Sequence, residues 1–331
     1  MSSSIMHIDI LAAESLGVRG LSCVVKTQGR KIVIDPGLAL GYQRNGLLPH
    51  PAQVAVGELV RWRIVQALED ATDVVMSHFH GDHVPLPDAN PYQLRAQRVA
   101  PLCREKRLWA KGTEGLSPSM VQRRAALGQV LGREIPNAEG QDNGTLAFSL
   151  PMPHGRPRSR LGTVMMTRIE GEAVVFAHAS DIQLLNDQAV SRLLEWRPDI
   201  ALVGGPPLYL SKLTSEQRAA AWQNAKRLAC HVATLILDHH LLRCEEGLFW
   251  LNRLSSEAGH RVVCAADFMG QPRCLLEARR AQLYDEMPVP DGWHAAYARG
   301  EASTGSYQGY RKECAQDPSP EGGSTDLPVS I

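Results

Sequence analysis

Val74-Val75-Met76-Ser77-His78-Phe79-His80-Gly81-Asp82-His83-Val84-Pro85-Leu86 is the stretch from which the rest of the chain can be read. An apolar run stops at Met76, and three imidazoles and one carboxylate follow between positions 78 and 83. Residues i and i+2 of a strand share a face, so His78 and His80 at a strand end can point the same way. Gly81 lets the backbone turn tightly, and Asp82 and His83 sit just past that turn. So many nitrogen and oxygen donors beside a core are costly unless a positive charge compensates them. A divalent ion does so. The alternative is a group of unrelated surface histidines. The apolar strand running straight into the cluster argues against it.

The chain has 331 residues, 44% hydrophobic and 21% charged, enough for a sizeable core. Lys plus Arg equal Asp plus Glu at 35 each, so no global field selects nucleic acid or a membrane. No apolar stretch approaches the ~20 residues that span a bilayer. Residues 1–4 lack the basic and apolar regions of a signal peptide. Of the seven cysteines, none in a Cys-x-x-Cys pair, several, such as Cys23, Cys230 and Cys264, read as small buried hydrophobes in a reducing compartment. The expectation is a soluble cytoplasmic protein.

Strands read at 23–26 and 31–34 flank a hairpin turn at 27–30, and Asp35-Pro36-Gly37 ends the second. A helical face spans 59–69 and a strand spans 73–77. Segment 84–145 is broken by prolines, with one helix at 117–131, Ser at its N-cap and Pro at its first position. It reads as an insertion over the site. Within 84–135, nine Lys and Arg face four Asp and Glu, a net charge of +5 that suits either substrate contact or a solvated loop. Strands resume at 145–150, 162–169 and 173–177, the last two joined by a turn at 170–172. Apolar strands follow at 200–203 and 233–237, with a capping box at Thr214–Gln217 opening a helix to 229. A strand at 261–265 and a helix at 275–284 close the pattern. The reading is one domain over 1–299 and a disordered tail over 300–331. Helical and strand periods together indicate the α/β class.

The His-x-His-x-Asp-His string resembles the signature of the metallo-β-lactamase superfamily. The chain resembles most closely a little-characterised prokaryotic branch, through Glu14-Ser15-Leu16-Gly17-Val18-Arg19-Gly20-Leu21-Ser22, Asp35-Pro36-Gly37 with Leu47-Leu48-Pro49-His50, and Asp238-His239-His240-Leu241-Leu242-Arg243. Coverage runs from about residue 5 to 295. The resemblance implies a four-layer αββα sandwich of two mixed sheets.

Further ligands are expected at later strand ends. His154 follows the strand ending at Leu150, where the superfamily places its next histidine. Asp181 also follows a strand. It can cap the next helix, or match the carboxylate that bridges two metals in hydrolytic branches. In Asp238-His239-His240-Leu241-Leu242-Arg243, His239 with Arg243 fits the closing His-x-x-x-Arg pattern of phosphodiesterase-like branches. His240 is the alternative ligand, and Asp238 can support a ligand ring through a hydrogen bond. Asp35 is either a turn aspartate or the support that the family places under its metal loop.

The resemblance thus implies His78, His80 and His154 on one ion and Asp82, His83 and His239 on the other, with Asp181 shared. Two ions ~3.5–4 Å apart can activate a shared water, with Asp82 positioning or relaying its proton. Zinc suits imidazole-rich ligation, while the absence of cysteine ligands leaves iron or manganese open. Arg156, Arg158 and Arg160 follow His154 and suit an anionic substrate; a solvated basic loop is the alternative. Tyr209 and Lys212 can also touch substrate. A phosphodiester or phosphate-bearing small molecule leads, and a lactone or thioester is next. Nucleic acid is not indicated by net charge. A non-catalytic metal-binding or RNA-binding module is the alternative of another class. His178 reads as a core histidine rather than an acid.

Overall fold

The computed structural model describes residues 6–156 and 159–314. The first half builds β1 (His7–Ile10), β2 (Cys23–Thr27), β3 (Arg30–Ile34), α1 (Pro51–Glu69), β4 (Asp73–Met76), α2 (Ala96–Cys103), β5 (Arg107–Ala110) and α3 (Pro118–Leu131). The second builds β6 (Leu146–Phe148), β7 (Met152–Pro153), β8 (Thr163–Val164), β9 (Thr167–Glu170), β10 (Val175–His178), α4 (Asp187–Glu195), β11 (Ile200–Val203), α5 (Ser215–Ala229), β12 (Thr234–Leu237), α6 (Glu245–Glu257), β13 (Arg261–Val263) and α7 (Ala265–Phe268). Three further helices follow: α8 (Arg280–Glu286), α9 (Trp293–Arg299) and α10 (Gln308–Cys314).

Two mixed sheets result, ordered β1-β2-β3-β4-β5 and β13-β12-β11-β10-β9-β6. In the first, β1 to β3 are antiparallel and β3, β4 and β5 parallel. In the second, β10 to β13 run parallel, joined by helical crossovers, while β9 and β6 are antiparallel. Parallel strands need such crossovers. The β2–β3 hairpin turns on Gln28 and Gly29, both with positive φ (47° and 71°), as a two-residue turn matched to strand twist requires.

The pleat sorts side chains into two layers. Val24, Val33, Val74 and Met76 face α1, meeting Val56, Val60 and Ile64. Their neighbours Val25, Ile32, Ile34 and Val75 point the other way, into a cluster with Phe148, Ile169, Phe176 and Leu202 of the second sheet. Val190, Leu228 and Leu251 of α4, α5 and α6 join that cluster and close the second sheet's outer side. The order is helix, sheet, sheet, helix, the αββα sandwich of the metallo-β-lactamase fold. Each fully buried Val, Ile or Leu contributes about 1.5–3 kcal/mol. No helix among the described residues is long and apolar enough to cross a membrane.

Four expectations are corrected. Segment 84–145 does not lie over the site: β5 is an edge strand of the first sheet, paired in parallel with β4, and α2 and α3 pack in the outer layer. Several of its cations bond to neighbouring residues of the fold. Arg107 reaches Asp73, Lys111 reaches Glu139, Arg124 caps the carbonyl of Lys111, and Arg133 those of Arg104 and Lys106. Residues 300–314 are ordered, a 3₁₀ turn at Gly305–Tyr307 leading into α10; 315–331 lie outside the described residues. Cys274 is joined to Cys314 in a disulfide, so not every cysteine is a reduced hydrophobe. Finally, α1 begins at Pro51 rather than 59, because His50 caps the Ala52 amide and Pro51 needs no partner for a missing N–H.

Candidate metal centre

The polar residues come from four places: the turns after β4, β10 and β12, and the end of β7, which pairs only with β8. After β4, the amides of His83 and Val84 bond back to the carbonyl of His80, and this turn presents His78, His80, Asp82 and His83. His154 follows β7 directly, and Asp181 follows β10 by three residues. After β12, a 3₁₀ turn over His239–Arg243 places two imidazoles and a guanidinium together.

The donor atoms of His78, His80, His154 and Asp181 lie within 4.8 Å of one another, as do those of Asp82, His83 and His239, and those of Asp181, His239 and His240. Asp181 is the hub. Its Oδ2 is 3.1 Å from His154 Nε2, 3.1 Å from His240 Nε2 and 3.4 Å from His239 Nε2, while its Oδ1 is 3.1 Å from His83 Nε2. Both candidate histidines after β12 therefore reach the same carboxylate.

Polar groups behind the cluster fix its rings. His83 Nδ1 lies 2.8 Å from Asp35 Oδ2 and donates to it, which leaves Nε2 facing Asp181 Oδ1. Asp35 is itself held by the amide and hydroxyl of Ser77. His78 Nδ1 faces the hydroxyls of Ser77 (3.0 Å) and Ser180 (3.3 Å), which bond each other. Gln183 is 3.4 Å from His154 Nδ1, and Tyr209 Oη 3.4 Å from His240 Nδ1. Asp35, Ser180 and His239 hold positive φ (49°, 54° and 50°), a strained state for non-glycine residues that the surrounding bonds must impose.

Asp238 does not touch an imidazole ring. It accepts from the amides of Ser15, His239 and Ala265 and from the Ser15 hydroxyl, tying the start of the 3₁₀ turn to the β1–β2 connection and to α7. It positions His239 through the backbone, a correction to its expected role beside a ring. His178 is buried between the sheets, its Nε2 donating to the carbonyl of Leu21 at 2.8 Å, away from the cluster.

Burial pushes His78 and His240 well below the ordinary imidazole range and takes His80 down to about 3; His239 is lowered for the same reason. His83 goes the other way, since Asp181 and Asp35 outweigh its burial. Burial opposes ionisation of Asp82 and Asp181, but the charge on His83 and the facing rings overcome it, and both carboxyls lie well below their ordinary value.

A neutral imidazole has one lone pair and one N–H, and here ring nitrogens stand at hydrogen-bond distance from one another. His78 Nε2 and His80 Nδ1 are 3.0 Å apart, His83 Nε2 and His239 Nε2 3.4 Å. Asp181 Oδ1 is buried, with His83 Nε2 3.1 Å away but no well-aligned hydrogen bond. A buried carboxylate so poorly satisfied is costly. A divalent cation fits these residues: it would satisfy the carboxylate and the converging ring nitrogens together.

A cavity of about 570 Å³ opens over the cluster, reached by His80, Asp82, His154, Asp181 and His240. Arg156, Arg160, Tyr209 and Lys212 line it, as do Leu161, Leu185, Leu210 and Leu213. Arg158 lies outside the described residues. No residue of 84–145 lines it. Sequence reading missed Ser77, Ser180, Gln183 and Glu14, whose roles depend on contacts across the sheets. Only their small polar type in otherwise apolar surroundings could have flagged them.

No family model matches the chain. It is 49% identical over 302 residues to a UPF0282 protein of Methanosarcina mazei, covering 91% of this chain and 99% of that one. It is 34% identical over 302 residues to a UPF0282 protein of Pyrococcus horikoshii (87% and 97%) and 34% over 295 residues to one of Methanopyrus kandleri (85% and 100%). Among solved structures it is similar to the metallo-β-lactamase fold protein YhfI of Bacillus subtilis, with 12% identity and a TM-score of 0.47 over 78% of this chain and 96% of that one. Tm1679, a metal-dependent hydrolase of the β-lactamase superfamily, gives 14% identity and a TM-score of 0.46 over 78% and 96%.

Proposed function

The chain belongs to the UPF0282 family and carries the metallo-β-lactamase fold, and from that premise we propose that it is a metal-dependent hydrolase of anionic substrates. The observation that carries this reading is the convergence of five imidazoles, those of His78, His83, His154, His239 and His240, within 3.6 Å of the buried Asp181 carboxylate. His78, His80 and His154 would hold one divalent ion, and Asp82, His83 and His239 a second, with Asp181 common to both. His240 stands 3.1 Å from Asp181 as a further donor. Imidazole and carboxylate donors without thiolate suit zinc first, and also iron or manganese. When bound, such ions supply Lewis acidity, lowering the pKa of water from about 15.7 toward about 7.

The chain's own residues do the rest. Asp82 is ionised, lines the cavity and can accept a proton from the attacking water. Asp35, Ser77 and Ser180 hold the rings of His83 and His78 in register. Arg156, Arg160 and Lys212 face the cavity and would orient an anion by charge-assisted hydrogen bonds. A phosphodiester or phosphate-bearing metabolite therefore leads. The leucines that also line it (Leu161, Leu185, Leu210, Leu213) support a second reading, a lactone or thioester.

The test is turnover by the full chain, supplied with zinc or manganese, on bis-p-nitrophenyl phosphate, an acyl lactone and an acyl thioester. Phosphodiester cleavage that a chelator and His80→Ala both abolish supports the leading reading. Lactone or thioester cleavage moves it to the second. No turnover together with tight RNA binding makes the chain a non-catalytic module.

A further inference from the structure

The two ligand groups are not equivalent, and the difference is one guanidinium. Arg243 is buried and held on three sides. Its Nε donates to Glu14 Oε1 at 2.7 Å, and its Nη1 is 3.3 Å from the Tyr209 hydroxyl. Its Nη2 lies 2.8 Å from His239 Nε2 and 3.4 Å from Asp82 Oδ2. Those are two of the three donors proposed for the second ion. Among the described residues, no guanidinium or ammonium hydrogen-bonds to His78, His80 or His154.

His239 is further constrained. Its Nδ1 accepts the Gly20 amide at 3.3 Å, while its Nε2 faces Arg243. A neutral imidazole has one acceptor nitrogen, so two N–H donors already compete for it. His240 has no such conflict: its Nδ1 can donate to the Tyr209 hydroxyl while Nε2 points at Asp181.

A divalent ion among Asp82, His83 and His239 would need the lone pairs that Arg243 now engages, and would stand beside a fixed positive charge in a poorly solvated place. Arg243 cannot retreat easily, because Glu14 anchors it from behind. Glu14 itself is buried, and the neighbouring carboxylate Glu277 is engaged by Arg19 and Arg44.

Resting on the metal-centre reading above, we propose that Arg243 is a resident counter-cation of the second ligand group, so that the centre fills in order. One ion binds at His78, His80, His154 and Asp181. A second binds more weakly, in competition with the guanidinium. Arg243 is thus a positioning residue that sets metal stoichiometry.

The test is calorimetric titration of the metal-stripped full chain with Zn²⁺, with no assay of activity. Wild type is expected to bind two ions whose affinities differ by at least about tenfold (about 1.4 kcal/mol). The pair Arg243→Met with Glu14→Gln removes both charges together, so neither is left buried alone. In it, the weaker affinity should rise about tenfold or more while the stronger stays within about threefold. Two ions of equal affinity in wild type, or a weak site that the double variant leaves unchanged or loosens, overturns the proposal. No ion bound by wild type overturns the metal-centre reading itself. Circular dichroism checks the fold of the variant. If it does not fold, the ratio of the two wild-type affinities still decides.

Discussion

The strand β4 is four residues long; a buried carboxylate is its first residue, another, carried by the turn after β10, lies near the histidines that follow its last, and the two are met in opposite ways. At its start, Asp73 accepts from Arg30 Nη2 at 2.6 Å, the Thr72 hydroxyl at 2.6 Å, Trp109 Nε1 at 2.8 Å and Arg107 Nη2 at 3.0 Å. Every partner is a proton donor fixed by β3, β4 or β5 or by the residue just before β4. Near its end, Asp181 meets imidazoles that, His83 apart, are mostly held neutral by burial. A carboxylate closed by the chain's own cations is a structural joint. A carboxylate ringed by imidazoles is a socket for a cation the chain does not supply.

The largest expected effect is at the open end. Asp181→Ala should lower metal-dependent turnover by more than about 100-fold, beyond the 10–100-fold loss typical of removing a ligand's outer support. Asp73→Ala should leave turnover per folded molecule nearly unchanged. Steady-state kinetics on both variants checks this; a comparable loss in Asp73→Ala would erase the distinction.

Gly37→Ala comes next. A Cβ there would stand 2.3 Å from the Val84 amide nitrogen and 2.4 Å from the His83 carbonyl carbon, both backbone atoms. Strain of about 3 kcal/mol is expected, together with displacement of His83 from Asp35. Urea denaturation gives the stability, and metal retention after dialysis gives the displacement.

At the closed end, Asp73→Ala should cost about 2 kcal/mol, because Trp109 loses its acceptor while Arg107, which is exposed, can turn to water. Metal content should not change. Thermal unfolding and elemental analysis on one sample check both halves.

The smallest effect is in pH. Burial would raise the Asp73 carboxyl, but the bonds from Arg30, Thr72 and Trp109 outweigh it and hold it below its ordinary value. A folded value below the unfolded one gives stability that is present above the ordinary carboxylate range. It is lost as pH falls through the folded value. Asp73→Asn should flatten that acid limb of the stability curve while leaving the limb above pH 7 parallel to wild type.

Local chemistry made much of this visible in the sequence. The strand running into His78–His83, the helix of α3 opened by Ser117 and Pro118, and the capping box of α5 each depend on residues a few positions apart. What failed depended on distance or on competing signals. Prolines across 84–145 suggested an insertion over the site, yet Pro101 sits within α2 and β5 pairs with β4 in the first sheet. β5 was hidden because a four-residue strand shows too little alternation. The hydroxyl pair that orients His78 joins residues 103 apart, and Arg243 meets Glu14 across 229. No spacing rule reaches that far. Asp238 looked like a ring partner because it adjoins two histidines, but its oxygens are taken by amides.

The most direct test of the open socket is elemental analysis of the full chain, exchanged into metal-free buffer, beside His154→Ala and Asp73→Asn. The account predicts at least one tightly held divalent ion per chain in wild type and in Asp73→Asn, and a clear loss in His154→Ala. A folded wild-type protein that carries no metal and binds none when zinc, manganese or iron is supplied would contradict it.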